Sequence, residues 1–245
     1  MSITWYILFF TILLLIFVSI LIGFFSQKRI YKLLKKYSAI KTKCEITAHE
    51  LSTILVTNAE LPIVIDEVNS KKTNIYNSKY KVLKLSKKVS DSIAISSLAY
   101  CSHQLGDAIQ DKEKLFSYKV KKYFHPVVKI LTSLFIPTAL LGFFFKFSLG
   151  MPITGLIVSI ISISILVLCI LFYIITYITE NKSADLICKY LNDCYFFSEN
   201  ELFGIKDVLY DLKWLYLSEL SSSLLFFLDF FSFSNIKDKI TNGQE

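Results

Sequence analysis

Three long stretches of the chain are apolar with few or no charges. They run from Ile3 to Phe25, from Val127 to Phe147 and from Ile153 to Ile178. About 20 apolar residues in a helix are enough to cross the hydrocarbon core of a bilayer. The pattern therefore predicts three transmembrane helices, the last two forming a hairpin with a tight connection.

A fourth apolar stretch, Trp214–Phe233, contains Glu219 and Asp229. A charge at the centre of a membrane span costs about 2.5–3.5 kcal/mol. Two interpretations remain open, a fourth span with Glu219 facing the bundle interior or an amphipathic helix in the membrane plane, and the first is slightly favoured.

The segment between the first two spans contains shorter hydrophobic and polar patterns, which are typical of individual helices and strands. Thr47 and Glu50 form a capping-box pattern that predicts a helix over Ala48–Ala59. Ile63–Ile65 and Lys81–Leu85 are typical of short strands, with a polar connection between them.

A second helix is predicted over Ser92–Gln110, with Ser90 or Asp91 as its cap. After the third span we expect a helix and a turn over Asn181–Asn200, and then a new helix capped by Ser198. The predicted fold class is therefore a mainly α integral membrane protein with 3–4 transmembrane helices and a small cytoplasmic α+β domain.

The basic residues predict the orientation of these spans in the membrane. A basic cluster follows the first span directly, and the positive-inside rule places it in the cytoplasm. Its members are Lys28, Arg29, Lys32, Lys35 and Lys36. The predicted organisation is a membrane anchor at 1–27, a cytoplasmic domain with an interfacial segment at 28–125, a transmembrane hairpin at 126–179, a helical region at 180–233 and a polar tail at 234–245.

Composition agrees with a membrane protein. The chain is 53% hydrophobic and carries a net charge of +7. Lysines and aromatic residues alternate over Asp111–His125, which predicts a segment lying at the membrane interface. The basic residues flank membrane segments and accompany no nucleic-acid-binding module, so the lipid bilayer is the expected partner, in the plasma or inner membrane, and nucleic acid is not.

The candidate chemistry lies on the helix over Ser92–Gln110. His103 and Asp107 are four residues apart, so their side chains share one helical face. Zinc peptidases place the motif H-E-x-x-H on such a helix, with two His ligands and a Glu as general base. Here the five residues are H-Q-L-G-D, in which Gln104 takes the place of the base and Asp107 that of the second ligand. Glu180 follows the third span on the same predicted side as His103.

Several short motifs, in order, carry a family resemblance. They are I-T-A-H-E-L at Ile46–Leu51, Y-N-S-K-Y-K-V-L-K-L-S at Tyr76–Ser86, G-D-A-I-Q-D at Gly106–Asp111, and Glu180 followed by Ser183-Ala184. In this order the chain resembles the membrane-bound neutral zinc metallopeptidases, the YugP-like family, with a degenerate H-E-x-x-H motif.

The resemblance implies a metal site made by His103, Asp107 and Glu180, holding zinc or another divalent cation, or no metal at all. It also implies that Lys182 brings a cation close to this site. Gln104 stands where the family has its catalytic Glu, and an amide has no titratable group with which to deprotonate a water.

We therefore expect a catalytically inactive membrane protein, a pseudoenzyme that binds a membrane protein or peptide partner. The alternative is a metal-dependent membrane peptidase with an atypical His103/Asp107/Glu180 site, in which Asp107 or Asp111 serves as the base.

Overall fold

A computed structural model describes residues 3–69 and 75–216 of the chain. Over these residues the protein is mainly helical with one small sheet. The elements in chain order are α1 (Ile3–Ser38), α2 (Ala48–Asn58), β1 (Val64–Val68), β2 (Ile75–Asn77), β3 (Val82–Ser86), α3 (Lys87–Ser90), α4 (Ile95–Lys112), α5 (Phe116–Phe147), α6 (Pro152–Asn192) and α7 (Glu199–Asp211).

Helices α1, α5 and α6 are each long and apolar enough to cross a membrane. They contain 36, 32 and 41 residues, and each of the three predicted spans lies inside one of them. Large apolar side chains along them face outward, including Phe10, Ile130 and Leu168, which are 61–64% exposed. The three predicted membrane helices are confirmed in length and composition. Most of the predicted stretch Trp214–Phe233 and the whole tail at 234–245 lie outside the described residues.

The described residues form two compact units. The apolar unit contains α1 through Ser26 together with residues 123–174. Within it, a Cβ added to Gly142 would lie 2.3 Å from Ser159 Oγ, so only glycine permits this close approach of α5 to α6. Lys146 Nζ lies 4.0 Å from the ring centroid of Trp5.

The site unit consists of the described residues within 27–122 and 175–215. Its apolar core joins α4 to α2, α7, the sheet and the second half of α6. The largest side chains that are fully buried there are Leu51, Leu55, Leu83, Leu85, Ile95, Leu98, Leu105, Ile187, Leu191 and Ile205. Burying them in one cluster fixes the position of α4, which carries the candidate chemistry.

The sheet has the strand order β1-β3-β2, with β3 in the centre. β1 runs parallel to β3, with Ile65 beside Leu83. β2 runs antiparallel to β3, with Tyr76 beside Leu83. β2 is therefore an edge strand, and the backbone N–H and C=O groups on its outer side are available to residues outside the sheet.

Both predicted capping boxes are confirmed. The hydroxyl of Thr47 accepts a hydrogen bond from the Glu50 N–H at 3.2 Å, while the Glu50 carboxylate accepts one from the Thr47 N–H at 2.9 Å. Ser198 and Glu201 form the same reciprocal pair at the start of α7. Helices α2 and α7 consequently begin at the predicted residues.

The predicted cap for α4 is wrong. Ser90 ends the short helix α3, Asp91 caps the end of that helix, and α4 begins at Ile95. The backbone at this point is held extended, because Ala94 forms a bridge with Lys41 and the Ile95 N–H donates to the Ile40 carbonyl at 3.0 Å. This pairing delays the start of α4 by three residues relative to the predicted start at Ser92.

Two further boundaries differ from the sequence prediction. α6 continues without a break from the apolar unit to Asn192, so the predicted separate helix beginning at Asn181 is the end of α6. The strand β2 lies inside the stretch that was predicted to be a polar connection. A three-residue edge strand shows no period of its own and forms because β3 supplies its hydrogen bonds.

Candidate functional site

The candidate site is built on α4, which is buried for most of its length. Fourteen of its 18 residues are buried, including the polar residues His103, Gln104, Asp107 and Gln110. A buried polar group is costly unless it has a partner. The partners of these side chains therefore define the site.

His103 and Glu180 meet directly. The imidazole Nε2 of His103 lies 2.6 Å from the Glu180 carboxylate Oε2, and the two residues are 4% and 2% exposed. Two neighbouring contacts place α6 against α4 at this level. Gln110 donates to the Thr179 carbonyl at 3.1 Å, and Gly106 allows the backbone of Ser183 to approach closely. The sequence-based expectation that Glu180 returns to the side of His103 agrees with this contact.

Asp107 has a different partner from the one that the motif suggests. Both of its carboxylate oxygens accept hydrogen bonds from Lys121 Nζ, each at 2.9 Å. Lys121 Nζ also forms an ion pair with Glu180 Oε1. Burial raises the pKa of the Asp107 carboxyl, the Lys121 ammonium opposes that rise, and the Glu180 carboxylate adds to it. Lys121 is therefore the group that compensates two buried carboxylates.

Sequence reasoning missed Lys121. It predicted that the segment around this residue lies at a membrane interface, and Phe116, Tyr123 and Phe124 are indeed exposed. Lys121 is only 7% exposed, however, and points into the site unit. The cation expected from the sequence was Lys182, which is exposed on α6.

Gln104 uses both ends of its amide. Its Oε1 accepts a hydrogen bond from the Tyr76 N–H at 3.0 Å, and its Nε2 lies 3.4 Å from His103 Nδ1. The backbone N–H of Tyr76 can only donate, so it identifies the oxygen of the amide, and the NH₂ group faces His103. His103 Nδ1 is then the acceptor, and Nε2 carries the proton that is donated to Glu180.

A second polar cluster adjoins the first through Tyr76. The Tyr76 hydroxyl donates to Asp111 Oδ2 at 2.8 Å, and Lys81 Nζ lies 2.5 Å from the same oxygen. Burial, followed by the hydrogen bond to Asp111, raises the pKa of the Tyr76 hydroxyl well above its usual range. Asp111 is thus paired with a phenol and an ammonium.

The side chains as arranged do not fit a zinc ion. Zinc needs several lone pairs directed at one point, and a neutral His must present an unprotonated ring nitrogen. Here His103 Nε2 donates to Glu180, and both carboxylates already contact the Lys121 ammonium. No group of three or more His, Cys, Asp or Glu side chains among the described residues is arranged to hold a metal ion. The ligand set of His103, Asp107 and Glu180 stays a prediction from the resemblance.

Comparisons with known proteins agree on the family. The family model described as "Putative neutral zinc metallopeptidase" matches residues 11–235. The "Putative membrane protease YugP" of Bacillus subtilis (strain 168) is 25% identical over 189 residues, which cover 77% of this chain and 80% of that protein. No solved structure matches the chain at a significant level. With the family model covering most of its length, the chain belongs to the neutral zinc metallopeptidase family.

Proposed function

We propose that this chain is a catalytically inactive member of the family. In this proposal it is an integral membrane protein whose main water-facing domain lies in the cytoplasm, and it acts by binding a membrane protein or peptide. The observation that carries the proposal is the hydrogen bond from the Tyr76 N–H to the Gln104 side chain at 3.0 Å. At the position of the family's general base, an amide holds the edge strand β2 against α4.

The loss of the base has a large chemical consequence. General acid–base catalysis contributes about 10²–10⁴ to an enzymatic rate. Gln104 cannot accept a proton from water, and its oxygen is already occupied by a backbone donor. The position has thus exchanged a proton-transfer role for a structural one.

A replacement base is hard to find among the neighbouring acids. The sequence offered Asp107 and Asp111 for this role. Asp107 receives two hydrogen bonds from Lys121, and Asp111 receives one from Tyr76 and another from Lys81. Both Asp107 oxygens and Asp111 Oδ2 are thus already occupied by donors and are not free to accept a hydrogen bond from a reacting water, which supports the inactive protein over the atypical peptidase.

The proposed location rests on the long helices and on charge. Among the described residues, α1, α5 and α6 could span a membrane, and the lysine-rich end of α1 belongs to the site unit. Basic residues close to a bilayer are retained on the cytoplasmic side, where anionic lipids attract them.

A peptidase assay with a matched variant tests the proposal. The full-length protein in detergent, with zinc added, would be incubated with unfolded casein and with a fluorogenic peptide library beside His103→Ala. If the chain is inactive, any cleavage comes from contaminants, so we expect equal cleavage rates for the wild type and His103→Ala. Cleavage by the wild type that is lost in His103→Ala would overturn the proposed inactivity.

A further inference from the structure

We propose that the ammonium of Lys121 is a built-in cation that takes the place of a divalent metal between Asp107 and Glu180. The site unit then folds and keeps its geometry without any metal. This inference goes beyond the proposed inactivity, which rests on Gln104, because it concerns what holds the site together.

The ammonium group of Lys121 lies between the carboxylates of Asp107 and Glu180. A lysine ammonium has three N–H donors and no acceptor. Lys121 Nζ has three carboxylate oxygens around it, both oxygens of Asp107 at 2.9 Å and Glu180 Oε1. The remaining oxygen, Glu180 Oε2, accepts a hydrogen bond from His103 Nε2. Three of the four carboxylate oxygens thus have a hydrogen-bond donor, and among the described residues Glu180 Oε1 has the ion pair with Lys121 and no hydrogen-bond partner.

Burial makes this cation necessary. The side chains of Lys121, Asp107 and Glu180 are 9%, 12% and 1% exposed. Two uncompensated carboxylates at such a depth would be strongly destabilising, and this cost is reduced only by an opposite charge with good hydrogen-bond geometry. A divalent metal would meet that requirement in a peptidase, and here a side chain from α5 meets it.

The position is specific within the surrounding basic segment. Lys119 lies on the same turn of α5 and is exposed, and the Lys122 side chain is 29% exposed with its Nζ 4.0 Å from Asp111. Only Lys121, among the lysines of this turn, reaches the two buried carboxylates. Lys119 therefore offers a matched control for a substitution at Lys121.

The test is thermal unfolding of the full-length protein in detergent, with either EDTA or zinc chloride added. The variants are Lys121→Met, which removes the charge and keeps the length, and Lys119→Met, which makes the same change at an exposed position. Lys121→Met in combination with His103→Ala tests whether a zinc response uses the imidazole.

We expect the melting temperature of the wild type to be the same in EDTA and in zinc. Lys121→Met in EDTA should melt about 10 °C lower, since breaking a buried ion pair is strongly destabilising. Zinc should restore much of this loss, because the vacated space is lined by two carboxylates and an imidazole. Lys119→Met should behave as the wild type, and the double variant should lose the zinc response.

Two results would overturn the inference. One is a wild type whose melting temperature falls in EDTA and recovers with zinc, which remains decisive even if Lys121→Met fails to fold. The other is a Lys121→Met protein as stable as the wild type in EDTA. The peptidase assay separates the two proposals. An inactive protein that needs zinc to be stable refutes the built-in cation alone. Cleavage that is lost in His103→Ala, by a wild type whose melting temperature is the same in EDTA and in zinc, refutes the inactivity alone.

Discussion

Gln104 and His103 show how one amide fixes the chemistry of its neighbour. The Tyr76 N–H holds the Gln104 oxygen, and the amide NH₂ then faces His103 Nδ1. A histidine that binds a metal through Nε2 must have its proton on Nδ1, often donated to a carbonyl or carboxylate. The contacts of Gln104 and Glu180 favour the opposite tautomer, which is suited to a hydrogen bond with Glu180 rather than to a metal.

This tautomer can be measured. The protein has three histidines, so selective ¹⁵N labelling gives a simple spectrum. We expect the His103 proton on Nε2 in the wild type, with the signal assigned by its loss in His103→Ala. The measurement is the pair of ring ¹⁵N shifts at neutral pH, read through couplings to the ring protons. A proton on Nδ1 would mean that the orientation of the Gln104 amide is reversed.

Residue chemistry was only partly predictable from the sequence. The four-residue spacing of His103 and Asp107 fixes their common face, and the return of α6 brings Glu180 to His103. Lys121 could not be selected in this way, because α4 ends at Lys112 and a new helix begins at Phe116. The sequence does indicate that carboxylates are buried on one face of α4 and that a cation must accompany them. It does not indicate which of the several nearby lysines supplies that cation.

At the scale of elements, the contact of α4 with α6 depends on Gly106. A Cβ at this position would lie 2.4 Å from Ser183 Oγ and 2.8 Å from the Ser183 carbonyl oxygen. A glycine inside a helix normally costs about 1 kcal/mol relative to alanine, so its presence here is explained by the close approach.

Gly106→Ala should therefore destabilise the protein by about 1–3 kcal/mol in spite of the better helix propensity of alanine. The measurement is the shift of the unfolding midpoint. Adding Ser183→Gly should restore only part of the loss, since the carbonyl oxygen at position 183 remains. A Gly106→Ala protein more stable than the wild type would show that α4 and α6 are not packed this closely.

The cap of α7 gives a prediction about pH. Glu201 is buried, which opposes its ionisation, but hydrogen bonds from Ser198 and from the Lys43 N–H at 2.6 Å outweigh burial and lower the pKa of its carboxyl. A lowered pKa in the folded state adds stability above the unfolded pKa of about 4.3, and this contribution is lost as the pH falls through the folded value.

Glu201→Gln should consequently be less stable than the wild type at pH 7, by about 1 kcal/mol as for other helix caps. The difference should shrink as the pH falls below about 4. Glu199→Gln changes an exposed acid in the same helical turn and is the control, with little effect at either pH. The unfolding midpoint as a function of pH is the measurement, and a difference that is constant with pH would contradict the lowered pKa.

Elements with a local signal were predicted well. The capping boxes at Thr47 and Ser198 and the long apolar runs need only neighbouring residues to be recognised. The start of α4 and the strand β2 depend on distant backbone partners, Ile40 for Ile95 and β3 for Tyr76. No local pattern in the sequence encodes such pairings.

At the scale of the whole molecule, the chain matches the family over most of its length. The family match extends over residues 11–235, and within the part of the chain that the structure describes α1, α5 and α6 are suited to a membrane. In the proposed function, Gln104 and Asp107 replace the family's base and second ligand, and Lys121 contacts both Asp107 and Glu180. We infer that the fold is retained as a membrane-bound binding module.

Elemental analysis of the purified full-length protein, beside His103→Ala and Lys121→Met, tests this account most directly. Purification in detergent without chelators keeps any bound metal. We expect far less than one metal ion per wild-type chain, no change in His103→Ala, and zinc bound only by Lys121→Met. A stoichiometric metal in the wild type that is lost in His103→Ala would contradict the built-in cation and would support the metal-dependent peptidase instead.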